Sequence, residues 1–366
     1  MRVLLVEPYY GGSHRAWADG YRKSSEFDVT ILDLPARWWK WRMRGGAVTL
    51  AEQAAELAST GYRPDVVLVS SMIDLGLLAT LLDRVWGRVP FVMYMHESQL
   101  TYPDSPLMAP DASYGFTNWT STLVADAVVF NSEYHRRVFF EEVRRLLRGF
   151  PDHRHEHLVD GVAAKSTVLP VGIDLEWVGP PVRDGGDPII VWNHRWEHDK
   201  DPMRFFAGVR RLHGSGLRFR LALCGASFRR QPTEFLEAAR DFGDIIVHYG
   251  EATRKDYRRI LARSDIVVST ARQEFFGMAV LEAIAAGAFP VLPDRLSYPA
   301  VIPDRFHDAV LYPDGGFVDA LARAIENPDR LSLVPGLSEA ARIYDWTRVA
   351  PRYDALVAEI AAGPGA

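Results

Sequence analysis

Short aliphatic runs alternate along this chain with longer stretches of helical periodicity. In the first half the runs are RVLLV (2–6), DVTILDL (28–34), DVVLVSS (65–71), PFVMYMH (90–96), DAVVFNS (126–132) and STVLPVG (166–172). The pattern restarts with PIIVWNH (188–194), FRLALCG (219–225), DIIVHYG (244–250), DIVVST (265–270) and FPVLP (289–293). Several runs are apolar nearly throughout, as in parallel strands covered by helices on both faces. Strands separated by helical stretches imply βαβ units and doubly wound sheets. Between the halves, VGPPVRDGGDP (178–188) combines Pro, Gly and Asp and reads as a linker. The expectation is an α/β protein of two Rossmann-like, doubly wound domains facing each other across a cleft. They would span 1–180 and 181–345, with an amphipathic C-terminal helix (346–366) packing back on the first. Ligands of open α/β sheets bind beyond the carboxyl ends of the strands, so the loops there should carry the chemistry. The helix-poor stretch 97–115 is one such loop.

Composition narrows the picture. A chain of 366 residues is long enough for two domains, each with its own core. A net charge of −5 argues against a polybasic protein, so a polyanionic partner needs a local patch. The single cysteine, Cys224, allows no intrachain disulfide and closes an apolar run, as a buried thiol does. The first apolar run breaks at Glu7-Pro8, too short for a signal peptide. No run approaches the roughly 20 apolar residues of a membrane span. The expected location is the cytoplasm.

Two constellations stand out in the second half. In QEFFGMAVLEA, Glu274 lies in a loop after a strand, a helix begins near Gly277, and Glu282 lies about a turn and a half inside it. Gly277 admits a ligand close to the backbone, and the amides of Gly277, Met278 and Ala279 offer partial positive charge to a phosphate. A carboxylate binds vicinal hydroxyls, so one acid suits a sugar and the other a ribose. A helix with an acidic first turn is the plain alternative. In WNHRWEHDKDP (192–202), Arg195 and Lys200 place two cations in one strand-to-helix loop, suited to a diphosphate. Asp201-Pro202 reads as a helix cap followed by proline at the first helical position.

Three further stretches lie in the first half. In MHESQ (95–99), His96 ends a strand, where it can orient a hydroxyl or simply bond backbone; no second histidine follows at position 100 to make a zinc helix. In EPYYGGSH (7–14), Gly11 and Gly12 leave backbone room in the first strand-to-helix loop, and Ser13 is a natural cap. The glycines do not form G-x-G-x-x-G, and no acid closes the second strand, which disfavours NAD. PARWWKWRMRGG (35–46) interleaves Arg37, Lys40, Arg42 and Arg44 with Trp38, Trp39 and Trp41 and has no acid. Such a mixture suits single-stranded nucleic acid or a membrane interface. Three tryptophans in four residues cannot all point inward. His153, His155 and His157 add a histidine-rich segment, read as a solvated loop rather than a metal site.

EFFGMAVLE resembles the E-x7-E motif of retaining GT-B glycosyltransferases. Arg195 and Lys200 match that group's phosphate-binding pair, and His96 its first-domain active-site histidine. Across essentially the whole chain, YGGSH, LPARWWKWR, FNS, VGIDLEW and WNHRWEHDKDP resemble the tRNA-queuosine alpha-mannosyltransferase family. One departure is Trp192-Asn193-His194, where many GT-B members carry glycine. The resemblance implies a GT-B fold and retaining, metal-independent transfer of mannose from GDP-mannose to the cyclopentenediol of queuosine in a tRNA anticodon. It implies no cofactor and no stable membrane association. Arg195, Lys200, Glu274 and His96 would be catalytic. Gly11, Gly12, Asn193, Phe276, Gly277, Met278, Ala279 and Glu282 would hold the donor, and the residues Arg37 to Arg44 named above would hold the acceptor RNA. Three rivals stand beside this reading: a glycosyltransferase with a lipid or small-molecule acceptor, a nucleotide-sugar epimerase, and a non-catalytic tRNA-binding protein.

Overall fold

The computed structural model of the chain describes residues 1–101, 111–225 and 232–363. Each aliphatic run named above forms a strand, because a strand covered on both faces must be apolar on both. The first sheet holds β1 (Arg2–Tyr10), β2 (Asp28–Pro35), β3 (Val66–Ser70), β4 (Phe91–Met95), β5 (Ala127–Phe130) and β6 (Ser166–Val168). The second holds β7 (Ile189–Trp192), β8 (Arg220–Cys224), β9 (Ile246–Gly250), β10 (Ile266–Val268), β11 (Phe289–Pro293) and β12 (Leu311–Tyr312). The strand orders are β2-β1-β3-β4-β5-β6 and β12-β11-β10-β7-β8-β9, and the pairings are parallel. The winding reverses once in each sheet, between β1 and β3 and between β7 and β10. At such a switch point the flanking loops part, and ligands bind there.

The strand ends depart from the sequence reading. Glu7-Pro8 does not end β1. The strand runs to Tyr10, with a register shift against β2 between Glu7 and Tyr10. Pro8 lies within that irregularity, where a missing N–H breaks no regular ladder. Glu7 is fully buried as a result. β6 stops at Val168, although apolar burial continues to Ile173. β12 has only two residues, too few to print a pattern. Ser13 does not cap the first helix. Gly11 does, without a side-chain bond, and a Cβ there would overlap Ala36.

The chain divides into two compact units, Met1–Asp174 with Tyr344–Ala366, and Leu175–Ile343. The Pro/Gly segment 178–188 therefore lies inside the second unit rather than joining the two. Val182 N donates to Ala262 O at 2.8 Å, and Arg183 donates to Ala262 O at 3.1 Å and Gly287 O at 2.8 Å. Asp184 pairs with Arg220 at 2.7 Å and with Arg263 at 2.9 Å. Its turn residues shape the path, while its charged side chains staple it down.

The helix Trp346–Ala362 belongs to the first unit. Asp354 accepts hydrogen bonds from Tyr21 Oη at 2.8 Å, Ser25 Oγ at 2.6 Å and Glu26 N at 3.0 Å. The Trp346 indole fills the space over Gly20 and Gly172, and a Cβ on either glycine would overlap it. Trp346→Ala should therefore cost about 3–5 kcal/mol by opening a cavity, read as a lowered midpoint in chemical denaturation. A change under about 1 kcal/mol would mean that the helix is not held by this contact. Among the described residues no helix is long and apolar enough to cross a membrane.

Candidate functional site

In the second unit two loops meet at the β7/β10 switch point. One follows β7 and carries 193–201; the other follows β10 and carries 270–277. They are zipped together by backbone and side chain. Asp199 O accepts from Arg272 N at 2.8 Å and Gln273 N at 3.3 Å. Thr270 Oγ1 donates to Lys200 O at 2.9 Å and Asp201 O at 3.0 Å. Asp201 caps the helix Pro202–Gly214 by accepting from Arg204 N at 3.3 Å, in a left-handed conformation with φ +50°.

The zipper presents Lys200 and Glu274 to each other. Lys200 Nζ donates to Gln273 O at 2.7 Å and Glu274 Oε2 at 3.2 Å, and lies 3.3 Å from Asp199 Oδ2. Arg195 lies 3.8 Å from the same Asp199 oxygen and is about half exposed. Asp199 is 1% exposed, and neither of its carboxylate oxygens makes a hydrogen bond. Burial works against its charge, but Lys200 and then Arg195 outweigh it and hold its carboxyl below the usual range. Glu274 follows the same logic: burial opposes its charge, and Lys200 overrides that to keep it ionised. His194 is driven to about 4, by burial first and Lys200 second, so it is neutral near pH 7.

Gly277 caps the helix Met278–Ala285 in a left-handed conformation, φ +93°. Only glycine adopts this readily, and a Cβ would also stand 3.2 Å from the Tyr298 ring. The amides of Met278 and Ala279 open the helix and have no intrahelical acceptor. Glu282 accepts from Tyr257 Oη at 2.9 Å. Asn193 Nδ2 reaches both Tyr257 Oη at 3.0 Å and Ala279 O at 2.7 Å. Asn193 and Glu282 are thus joined through Tyr257, and Phe276, immediately before Gly277, is buried.

In the first unit His96 is buried at the end of β4. Its ring lies 4.3 Å from that of His14, 4.7 Å from Trp17 and 4.8 Å from Tyr94, centroid to centroid. His14 Nδ1 stands 3.1 Å from Glu7 Oε2, and His14 Nε2 stands 3.6 Å from Glu97 Oε2. Gly12 has left-handed φ, +53°, with open space around it. Glu7, His14 and His96 are the one grouping among the described residues whose ligand atoms converge closely enough for a metal, within 4.8 Å. However, the 3.1 Å approach is shorter than the about 3.3 Å edge implied by tetrahedral bonds of about 2.0–2.1 Å. It is an ion-pair distance, with no hydrogen bond between the two atoms.

The basic and aromatic stretch starts the helix Trp39–Ser59. Trp38, its cap, is left-handed at φ +51° and 69% exposed; Trp41 is 62% exposed. Trp39 turns inward against Tyr114, with Met43 and Met72 behind. Arg37 lies over Trp38, and Lys40 and Arg44 lie over Tyr114. Arg42 does not belong to this surface. It is buried and donates Nε and Nη2 to Pro35 O at 3.3 and 3.1 Å, tying the helix start to the end of β2. His153, His155 and His157 form an exposed row with ring centroids 6.3 and 6.2 Å apart.

Sequence reading missed Asp199, Tyr257, Glu7 and His14. Asp199 was hidden inside a capping pattern. Glu7 looked like the end of a strand. Nothing local marks Tyr257, which acts across 25 residues on Glu282.

Comparisons with known proteins add to this geometry. The family profile described as tRNA-queuosine alpha-mannosyltransferase N-terminal matches residues 2–173, and the one described as glycosyl transferases group 1 matches residues 176–334. A Drosophila melanogaster tRNA-queuosine alpha-mannosyltransferase is 34% identical over 315 residues, covering 82% of this chain and 81% of that protein. A Mycobacterium tuberculosis GDP-mannose-dependent alpha-(1-6)-phosphatidylinositol dimannoside mannosyltransferase is 25% identical over 338 residues, covering 81% and 80%. Among solved structures, sucrose-phosphate synthase from Thermosynechococcus elongatus superposes with TM-score 0.75 at 14% identity, covering 99% and 100% of the two chains. The catalytic domain of starch synthase IV from Arabidopsis thaliana gives 0.72 at 14%, covering 99% of each. The structural likeness gives the fold, two Rossmann-like units of the GT-B class. With the fold, the paired loops and a relative of this identity over four-fifths of both chains, the protein is a glycosyltransferase that belongs to the tRNA-queuosine alpha-mannosyltransferase family.

Proposed function

We propose that the protein moves mannose from GDP-mannose to queuosine in a tRNA anticodon, in the cytoplasm, with retention of configuration. The observation that carries the donor half is the zipped pair of loops, which sets Lys200 against Glu274 with Arg195 beside them. The donor diphosphate takes Arg195, Lys200 and the amides at Gly277 to Ala279. Preorganised charge there stabilises the leaving group, and no metal ion is required. Glu274 takes sugar hydroxyls and Glu282 the ribose. His96 stabilises the sugar. The acceptor hydroxyl attacks from the face the diphosphate leaves, and the phosphate takes its proton.

The second unit is the donor-binding unit on this reading, and the first unit takes the RNA. Trp38 and Trp41 offer faces for bases, while Arg37, Lys40 and Arg44 meet phosphate. Cations held over rings keep their charge near the surface on which the RNA would lie.

Labelled GDP-mannose incubated with two tRNA pools, with and without queuosine, tests the proposal. Label in the queuosine pool alone is the expected result. Donor binding without label in either pool would overturn the acceptor and move the search to lipid and small-molecule acceptors. Glu282→Ala should weaken GDP-mannose binding by about tenfold or more, the usual loss for a hydrogen bond to a charged group. Calorimetry measures this, and unchanged affinity would remove Glu282 from the ribose site.

A further inference from the structure

We propose that His14 is a positioning residue for His96: Glu7 holds it as an imidazolium, and its ring fixes His96 in place and in the uncharged form. The proposal rests on the transfer reading above only for the role of His96.

Two carboxylates flank His14, and Asn131 holds the His96 backbone. Glu7 is fully buried, and its Oε1 is held by Ser70 Oγ at 2.9 Å and Tyr9 N at 2.9 Å. That leaves Oε2 between the two rings, 3.1 Å from His14 Nδ1 and 4.0 Å from His96 Nε2. The other His14 nitrogen meets Glu97, 3.6 Å away. The His14 ring lies against His96, tilted by 37°. Asn131 Nδ2 donates to the His96 backbone O at 2.9 Å, and Asn131 Oδ1 meets His135 Nδ1 at 2.9 Å. The charged and titratable groups facing the His14–His96 pair are thus Glu7 and Tyr9 from β1, Tyr94 in β4, Glu97 after it, and His135 from the helix Glu133–Arg148.

Burial opposes charge on His14, but the Glu7 carboxylate and then Glu97 outweigh it and push its pKa up to about 10. Burial, the His14 charge and His135 together hold His96 well below its usual range. His135 itself is held at about 3 by burial. One ring of the stacked pair carries the charge, and the other is excluded from carrying it, since two imidazolium rings at this distance repel. A neutral His96 has one donor and one acceptor nitrogen, which a sugar hydroxyl can use in turn.

The test reads the pair directly. In the full-length protein labelled with 15N-histidine, the ring nitrogens of His14 should report an imidazolium through about pH 8.5. In Glu7→Gln, which keeps an acceptor for Ser70 but loses the charge, His14 should titrate much nearer the usual value of about 6.5. Because the folded pKa is raised, the charge is lost as pH climbs through it. In Glu7→Gln the two rings compete for one proton as pH falls, so its kcat relative to wild type should decline between about pH 8.5 and about pH 6, with donor KM unchanged. Glu97→Gln should show a smaller shift in the same direction. A neutral His14 in the wild-type protein at neutral pH, parallel pH profiles for Glu7→Gln and wild type, or a stoichiometric metal ion held through Glu7 would each overturn the proposal. The wild-type spectra need neither a variant nor an acceptor. The positioning role can therefore fail while queuosine transfer stands, or stand if another acceptor is found.

Discussion

Arg195→Ala should lower turnover by about 10²–10³-fold, the loss typical of removing one preorganised donor to developing charge. The argument starts from the local balance of charge. Lys200 Nζ already has Gln273 O, Glu274 and Asp199 within 3.3 Å, so much of its field is spent inside the protein. Arg195 is set back 3.8 Å from Asp199 and is about half exposed. Its guanidinium can turn toward a diphosphate and engage it with a planar fork. Because leaving-group charge grows toward the transition state, the loss should fall on kcat more than on KM. Arg195→Lys should recover part of the rate by returning the charge without the fork. Steady-state kinetics with saturating donor reads both variants. An Arg195→Ala enzyme within a few-fold of wild type would sink the leaving-group account.

Lys200→Ala should be damaging for a different reason. Lys200 stands between two carboxylates, Asp199 and Glu274, at 3.3 and 3.2 Å. Removing it strands a buried acid against a second acid. Breaking a buried ion pair in this way costs about 3–5 kcal/mol. The pH dependence should also invert. In the wild type both carboxyls are held below their usual range. Their contribution is present above the ordinary carboxylate pKa of about 4 and is lost as pH falls through the depressed folded values. In the variant the acids repel, their folded pKa values rise, and the folded state binds more protons than the unfolded one. Its stability should therefore increase as pH falls from about 7 to about 5. Thermal midpoints across that range test the claim. A variant whose midpoint tracks the wild type at every pH would show that Lys200 does not balance these acids.

Both predictions depend on Asp199, which shows how the site was only partly visible in the chain. Arg195, Lys200, Glu274 and Glu282 could be named from type, spacing and resemblance. Asp199 sits in the same ten residues, yet within DKD it looks like one more cap. Only the approach of the 270–277 loop reveals it as the buried counter-charge for two cations. Arg42 illustrates the opposite error. In a row of basic residues it looks like RNA-binding surface, but helix periodicity turns it inward to Pro35 while Trp38 and Trp41 face out. The linker reading of 178–188 failed similarly, because turn residues mark a change of direction and not a lack of partners.

By itself the sequence determined the two parallel sheets, since strands buried on both faces must be aliphatic throughout and the runs recur with helical stretches between them. It also determined the position of Gly277 and the helix it opens, because left-handed backbone at a cap selects glycine. The tertiary structure alone decided which groups hold those residues. Tyr257 reaches Glu282 across 25 residues, Lys200 meets Glu274 across 74, and Glu7 meets Ser70 across 63. Periodicity and propensity act over one or two turns of chain, whereas electrostatic pairing in a low-dielectric interior depends only on distance in space.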